Sequence, residues 1–226
     1  MAVGGAVALF NGRDGEWRAQ ITEISKRSAN LRAVDMLRPQ MDAPDIWLCF
    51  APVRKHRNGF ILEKATELGA ARLQPVLTRR TQFGKINLSK MNAQIVEAAE
   101  QTERLCLPEL HDTVSLEKLL QEWDENRTLI MGDEAGDCAA ALETFETLQG
   151  PAAILIGPEG GFDDGERDAA VAAGWQRVFM GPRLFRTETA GVVAISLLQA
   201  AFGDLQRLRR TAEDAGHREL VDRAPL

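Results

Sequence analysis

The chain of 226 residues has little of what several function classes require. It holds three cysteines, Cys49, Cys106 and Cys138, far apart and without a CxxC pair. A disulfide framework or a cysteine-based zinc site is therefore not expected, and a reducing cytoplasm fits. Its three histidines, His56, His111 and His217, are isolated, and no HExxH occurs, so no metal is expected and a metal-dependent hydrolase is poorly supported. There is no G-x-x-x-x-G-K-[ST] loop and no G-x-G-x-x-G after a strand, which removes the main support for P-loop and Rossmann readings. No apolar run reaches the roughly 18 residues of a membrane span. Residues 1–10 are apolar but carry no basic residue, so they do not read as a secretory signal. The expected setting is cytoplasmic, away from membranes.

What is present is an ordinary globular composition with an uneven charge. Hydrophobic residues make up 45% and charged residues 27%, enough over this length to bury the core of one large domain or two modest ones. The net charge of -6 conceals a split, with +7 on residues 1–90 and -13 on residues 91–226. A basic N-terminal half suits contact with a polyanion, because phosphate binding draws on clustered Lys and Arg. A solvated basic face accounts for the same numbers, and composition leaves both readings open.

Residues 6–38 read as short strands. Val7, Ala8, Leu9 and Phe10 run into Asn11-Gly12 and Asp14-Gly15, both hairpin signals. Trp17, Ala19 and Ile21 then alternate with polar residues, and a third strand is expected at 31–35. Residues 39–44 look like a linker. From Asp45 the period changes. Strands are expected at 46–51, 73–78, 128–131, 152–156 and 177–180, alternating with helices at 59–68, 88–105 and 190–202. Three further helices fall between them: one capped by Ser115, one through Phe145 that stops at Gly150, and one opened by an Asp163/Glu166 capping box that stops at Gly174. This alternation predicts an α/β fold with a mostly parallel sheet covered on both faces. Trp17, Trp47, Trp123 and Trp175 fall in apolar patterns and read as core. The charged tail, 203–226, is expected to be partly frayed.

Two segments carry the chemistry. Gly157-Pro158-Glu159-Gly160-Gly161-Phe162 follows the apolar run 152–156, so its glycines sit where a buried strand ends. Gly160 and Gly161 can take positive φ and, lacking Cβ, let a ligand approach the backbone. Leu184-Phe185-Arg186-Thr187-Glu188-Thr189-Ala190 opens the last helix, with Thr187 or Thr189 placed to cap it. Together they put a glycine loop beside a helix N-terminus at one sheet edge, where open α/β sheets bind ligands. Plainer readings exist for each part. A glycine run is often a tight turn, the threonines cap whatever else they do, and Glu188 complements the helix dipole.

In this order and spacing, GPEGGF followed by L-x-R-T-E-T-A resembles the RsmE family of SPOUT-class methyltransferases. Further matches are Lys64-Ala65-Thr66-Glu67-Leu68-Gly69, and Glu97-Ala98-Ala99-Glu100-Gln101 with Arg104 and Pro108. The resemblance covers roughly residues 5 to 203. It implies a SPOUT-type sheet with a C-terminal deep trefoil knot, a feature that general topology rules would vote against. It also implies a small PUA-like β-barrel ahead of that sheet, truncated here because the chain starts late relative to the family. The implied division is 1–42 for the partial PUA-like domain, in contact with RNA, and 43–226 for the methyltransferase domain and tail. Phe185 stands where the family commonly has Leu.

The implied activity is methylation of N3 of one uridine in the decoding region of 16S rRNA, within the small ribosomal subunit, from S-adenosylmethionine. Three loops would hold that cofactor largely through backbone groups: the one after Met131; the one formed by Ile156, Gly157, Pro158, Glu159, Gly160 and Gly161; and the one spanning Met180, Gly181, Leu184, Phe185, Arg186, Thr187, Thr189 and Ala190. Methyl transfer depends mainly on in-line positioning, but the N3 proton must leave. Arg186 is the implied stabiliser of charge on the uracil carbonyls, and Glu188 either accepts the proton or orients Arg186. A competing reading makes Arg186 structural, paired with Glu159 or Glu188. Implied RNA contacts are Arg13, Arg18, Arg54, Lys55, Arg57, Arg79 and Arg80. A homodimer is implied through the helix carrying Val192, Val193, Ile195, Leu197 and Leu198, which is apolar nearly all round. Alternatives are a SPOUT enzyme of 2′-O specificity and a non-catalytic, ribosome-associated RNA-binding protein.

Overall fold

The structure is a computed structural model that describes residues 2–84 and 86–206. Most of the expected frayed tail, from residue 207 on, lies outside the described residues. The chain divides into two compact units, Met1–Asp42 and Ala43–Arg207. The first is an antiparallel sheet of β1 (Ala6–Phe10), β2 (Glu16–Ile24) and β3 (Ala29–Arg38), in that order. The β1–β2 turn is organised by Asn11, whose Oδ1 accepts from the amides of Arg13 and Asp14 at 3.0 and 2.9 Å. Ala19 and Ile21 are buried, the inward half of the alternation in the sequence. Among the described residues the sheet has two free edges, β1 and β3, and does not close into a barrel.

The second unit runs β4 (Ile46–Phe50), α1 (Lys55–Glu67), β5 (Arg72–Leu77), α2 (Leu88–Thr102), β6 (Glu109–Leu110), β7 (Val114–Ser115), α3 (Leu116–Gln121), β8 (Thr128–Gly132), β9 (Ala139–Ala140), α4 (Ala141–Glu146), β10 (Ala152–Ile156), α5 (Asp164–Ala172), β11 (Gln176–Phe179) and α6 (Thr187–Ala201). Its sheet has the order β6-β5-β4-β10-β8-β11-β9, with β7 pairing β5. Every pairing in it is parallel. β10 lies between β4 and β8 and is buried at all five residues, as an unbroken apolar run should be when helices cover both faces. Strand alternation splits the core in two. Leu48, Phe50, Ile154 and Ile156 pack with Ile61 and Leu62 of α1 and Ile195 and Leu198 of α6. Cys49, Leu155, Leu129 and Met131 pack with Leu116, Phe162 and Trp175 on the other face. Each fully buried Leu, Ile or Phe contributes about 1.5–3 kcal/mol relative to exposure.

Several helix ends follow the sequence. The Ser115 hydroxyl accepts from the Lys118 amide at 3.2 Å. Asp163 and Glu166 form both arms of the capping box, at 2.8 and 3.0 Å. Others differ. α1 begins at Lys55, four residues before the expected start, because Asn58 wraps the entry turn by bonding both the amide and the carbonyl of Val53 at 2.9 Å. α2 stops at Thr102, where Glu103 takes a left-handed φ of 56° and the Arg104 amide reaches back to Ala99. α4 closes at Glu146. The two-residue strands β6, β7 and β9 are too short to show a period.

Candidate functional site

β8, β10 and β11 lie side by side, and their C-terminal ends open onto one cavity of about 320 Å³. Its wall comes from Gly132 at the end of β8 with Asp133, Glu134 and Gly136 beyond it; Ile156 at the end of β10 with Gly157 and Pro158; Phe179 at the end of β11 with the residues on to Phe185; and Thr187 and Ala190 of α6. The volume is near the lower end of the roughly 300–1,000 Å³ usual for ligand pockets.

Local chemistry explains the shape. A Cβ on Gly157 would lie 2.9 Å from two atoms of the Phe162 ring, and that ring is fully buried. Glycine at 157 therefore lets the loop fold flat over Phe162. Gly161 has φ +66°, its amide closes a turn onto the Pro158 carbonyl at 2.9 Å, and a Cβ there would run into the Glu134 carboxylate. Gly160 does not take positive φ, contrary to expectation; its carbonyl instead receives Arg80 Nη1 at 2.7 Å.

α6 starts at Thr187, three residues ahead of the expected helix, and neither threonine caps it. The cap position is Arg186, in extended conformation and without a side-chain cap. Thr187 Oγ1 is committed elsewhere, donating to the Gly157 carbonyl at 3.0 Å. This bond ties the helix start to the glycine loop and leaves the first-turn amides without a side-chain acceptor, beside the cavity wall.

The structure therefore brings Ile156, Gly157, Pro158, Met180, Gly181, Leu184, Phe185, Thr187 and Ala190 to one cavity. Met131 is not on its wall; it is fully buried in the core beneath β8. Glu159, Gly160, Gly161, Arg186 and Thr189 flank the loops without forming the wall. Arg186 is exposed, and its side chain makes no hydrogen bond or ion pair among the described residues. Glu188 is buried, and its charge partner is Arg57, whose Nε lies 3.4 Å from Oε1. Arg57 also pairs with Glu159 at 3.1 Å, so Arg57, not Arg186, takes the place foreseen for a loop-shaping arginine.

Sequence reasoning missed Asp133 and Glu134. The Asp133 side chain is fully buried at the cavity wall, held by Arg167 Nε at 3.0 Å, Arg177 Nε at 2.8 Å and the Ala135 amide at 3.1 Å. Burial alone would raise its carboxyl, but the Arg167, Ala135 and Arg177 hydrogen bonds outweigh it and hold the group below its ordinary value. The available signal was an acidic pair directly after a buried strand.

The expected RNA contacts divide between the units. Arg13 is exposed and Arg18 pairs with Asp35, both in the first unit. In the second, Arg79 and Arg80 reach the glycine-loop region, through Asp163 at 3.1 Å and the Gly160 carbonyl. Arg54 stacks over Phe83 at 5.9 Å, and Lys55 is exposed at the start of α1. Among the described residues, no helix is long and apolar enough to cross a membrane.

A parallel sheet whose glycine-rich strand ends and uncapped helix start converge on one cavity defines a ligand-binding α/β protein. The family model described as an RNA methyltransferase domain matches residues 41–199, and one described as an RNA methyltransferase PUA domain matches residues 1–34. The chain belongs to this RNA methyltransferase family. The ribosomal RNA small subunit methyltransferase E of Rickettsia conorii is 28% identical to it, over 87% of this chain and 81% of the relative. A Legionella pneumophila protein solved with the bound cofactor SAM superposes with a TM-score of 0.81 at 33% identity, over 90% of this chain and 86% of that one. The ribosomal RNA small subunit methyltransferase E of Neisseria gonorrhoeae, solved with S-adenosyl methionine, gives 0.80 at 26% identity, over 91% and 87%.

Proposed function

We propose that the protein transfers a methyl group from S-adenosylmethionine to N3 of a uridine in the decoding region of 16S rRNA, acting on the small ribosomal subunit in the cytoplasm. The observation that carries this reading is the convergence of the three motif loops on one cavity, in a chain of the RNA methyltransferase family. The residues present fit the cofactor. Gly157 brings bare backbone to the wall, the α6 start offers amides, and the apolar side chains of Ile156, Met180 and Phe185 can cover an adenosine. When bound, S-adenosylmethionine supplies the methyl group as its S–CH₃ bond breaks and the N–CH₃ bond forms.

The chain's own residues position and neutralise. Arg186, exposed beside the loop and without a partner, is assigned to the negative charge that develops on the uracil carbonyls. Glu188 is assigned as acceptor of the N3 proton. Arg54, Lys55, Arg79 and Arg80 in the second unit, and Arg13 and Arg18 in the first, are assigned to phosphate contact. We divide the chain into a PUA-like RNA-contact domain at 1–42 and a SPOUT domain from 43. A trefoil knot in the latter is supported by β11 lying outside β8 while the chain returns to pack α6 on α1, β4 and β10. Pulling the chain from both ends should then leave it short of its full unfolded length. A homodimer is supported by the half-exposed Val192, Val193 and Leu197 of α6, and a monomer in sedimentation at micromolar concentration would remove it.

Calorimetry with S-adenosylmethionine and methyl-label transfer to small subunits test the central reading. Absence of binding at millimolar cofactor would refute it. Digestion to nucleosides distinguishes 3-methyluridine from a 2′-O product, and RNA affinity without label transfer would identify a non-catalytic binder.

A further inference from the structure

Much of the polar wall of the cavity is already committed within the protein. Thr187 Oγ1 donates to the Gly157 carbonyl at 3.0 Å. The Asp133 carboxylate has no exposed surface and is held by Arg167 and Arg177. Among the described residues, two charged side chains on the wall remain to meet a ligand, Glu134 and Arg183. They stand on neighbouring segments, because β11 pairs with β8 and the Asp133 amide continues that ladder by donating to the Val178 carbonyl at 2.8 Å. Glu134 is fixed through one oxygen only. Oε1 accepts from Arg167 Nη2 at 3.1 Å, while Oε2 makes no hydrogen bond among the described residues. The carboxylate lies over Gly161, where a Cβ would collide with it, and the side chain is 39% exposed, so a ligand can reach it. Arg183 is exposed and makes no hydrogen bond, ion pair or ring contact among the described residues.

We propose that Glu134 and Arg183 form the subsite for the amino-acid group of S-adenosylmethionine, with Glu134 Oε2 accepting from the α-ammonium and Arg183 donating to the α-carboxylate. The inference rests on the methyltransferase reading and deepens it. The charges of the wall match those of the ligand. One carboxylate and one guanidinium meet a group that carries one ammonium and one carboxylate, while the uncharged adenosine is left to the apolar Ile156, Met180 and Phe185. Glu134 keeps most of its negative charge, because its partner Arg167 is shared with Asp133 and Asp164. An unpaired guanidinium is free to make the two parallel bonds that a carboxylate accepts. The sulfonium lies between the adenosine and the amino-acid group, so holding both ends limits its rotation and favours in-line transfer.

Calorimetry of the full chain with three probes tests this: S-adenosylmethionine, its decarboxylated form, and methylthioadenosine, which lacks the amino-acid group. Arg183→Ala should weaken S-adenosylmethionine about tenfold, the low end for a hydrogen bond to a charged group because the arginine is exposed. It should leave the decarboxylated form unchanged, since the anion that Arg183 meets is missing from it. Arg183→Lys should fall between, keeping the charge but not the fork. Glu134→Gln should weaken S-adenosylmethionine and the decarboxylated form by a similar factor, and neither variant should alter methylthioadenosine binding. Equal weakening of all three probes by Arg183→Ala, with a lowered Tm, would make the arginine a loop-shaping residue and overturn the proposal. Unchanged S-adenosylmethionine affinity in Arg183→Ala, with a slower single turnover or a reduced salt slope of RNA binding, would place it against RNA and also overturn it. Unchanged affinities in Glu134→Gln would overturn the pairing of the two residues. A wild-type protein that binds none of the probes would overturn the methyltransferase reading itself.

Discussion

One methyl group added at Gly157 tests how tightly the cavity floor is built. In Gly157→Ala the new Cβ would lie 2.9 Å from two atoms of the Phe162 ring and 3.3 Å from a third. Phe162 has no exposed surface, so the ring has nowhere to swing. Gly157 does not have positive φ, and backbone strain is therefore not part of the effect. Overpacking of this kind costs about 1–3 kcal/mol, against which the stiffer unfolded chain of an alanine returns about 0.4–1 kcal/mol. The net loss is about 1–2 kcal/mol, or roughly 2–8 °C in Tm for a chain of this length. The shift must also move the Gly157 carbonyl that holds Thr187 at 3.0 Å, so cofactor affinity should fall about tenfold, one charge-neutral hydrogen bond's worth. Thermal unfolding and calorimetric titration measure both. In a Phe162→Leu background the same alanine should cost clearly less. A Gly157→Ala protein with Tm within about 1 °C of wild type and unchanged affinity would refute the steric account.

Three further outcomes follow from the geometry. Asp163→Ala removes the N-cap of α5 and a partner of Arg79; urea unfolding should show a loss of about 0.5–2 kcal/mol at unchanged m-value. The folded carboxyl of Asp133 sits below its ordinary value of 3.8, so its contribution to stability is present above that value and is lost as pH falls through the lower folded one. Asp133→Asn should therefore flatten the acid limb of the stability profile, and it should destabilise the protein near neutrality by about 3 kcal/mol because Arg167 and Arg177 lose their buried partner. Arg186→Ala should lower the single-turnover methylation rate by roughly 10²–10³ with little change in cofactor affinity, since the arginine is exposed and outside the cavity wall; an unchanged rate would remove it from the reaction.

Local signals proved legible where they were self-contained. The capping box needs only Asp163 and Glu166, three residues apart, and the buried strand 152–156 needs only five apolar residues in a row. The starts of α1 and α6 were not legible, because side chains outside the periodic stretch decide them. Asn58 ties itself to Val53, and Thr187 spends its hydroxyl on a carbonyl 30 residues away rather than on its own helix. Asp133 looked like one more acidic loop residue, since its two arginines lie 34 and 44 positions on.

Alternating periods and punctuating glycines were enough to specify an α/β unit with a parallel sheet, and the two motifs marked which strand ends would matter. Local backbone preference and apolar spacing are short-range properties, so the chain carries them in plain order. Which charges meet is a different kind of fact. Arg57 reaches Glu159 across 102 residues, and it does so only because parallel pairing sets the C-terminal ends of β4 and β10 side by side. Tertiary structure decided that pairing, since electrostatic contacts act through space and no spacing along the chain encodes them.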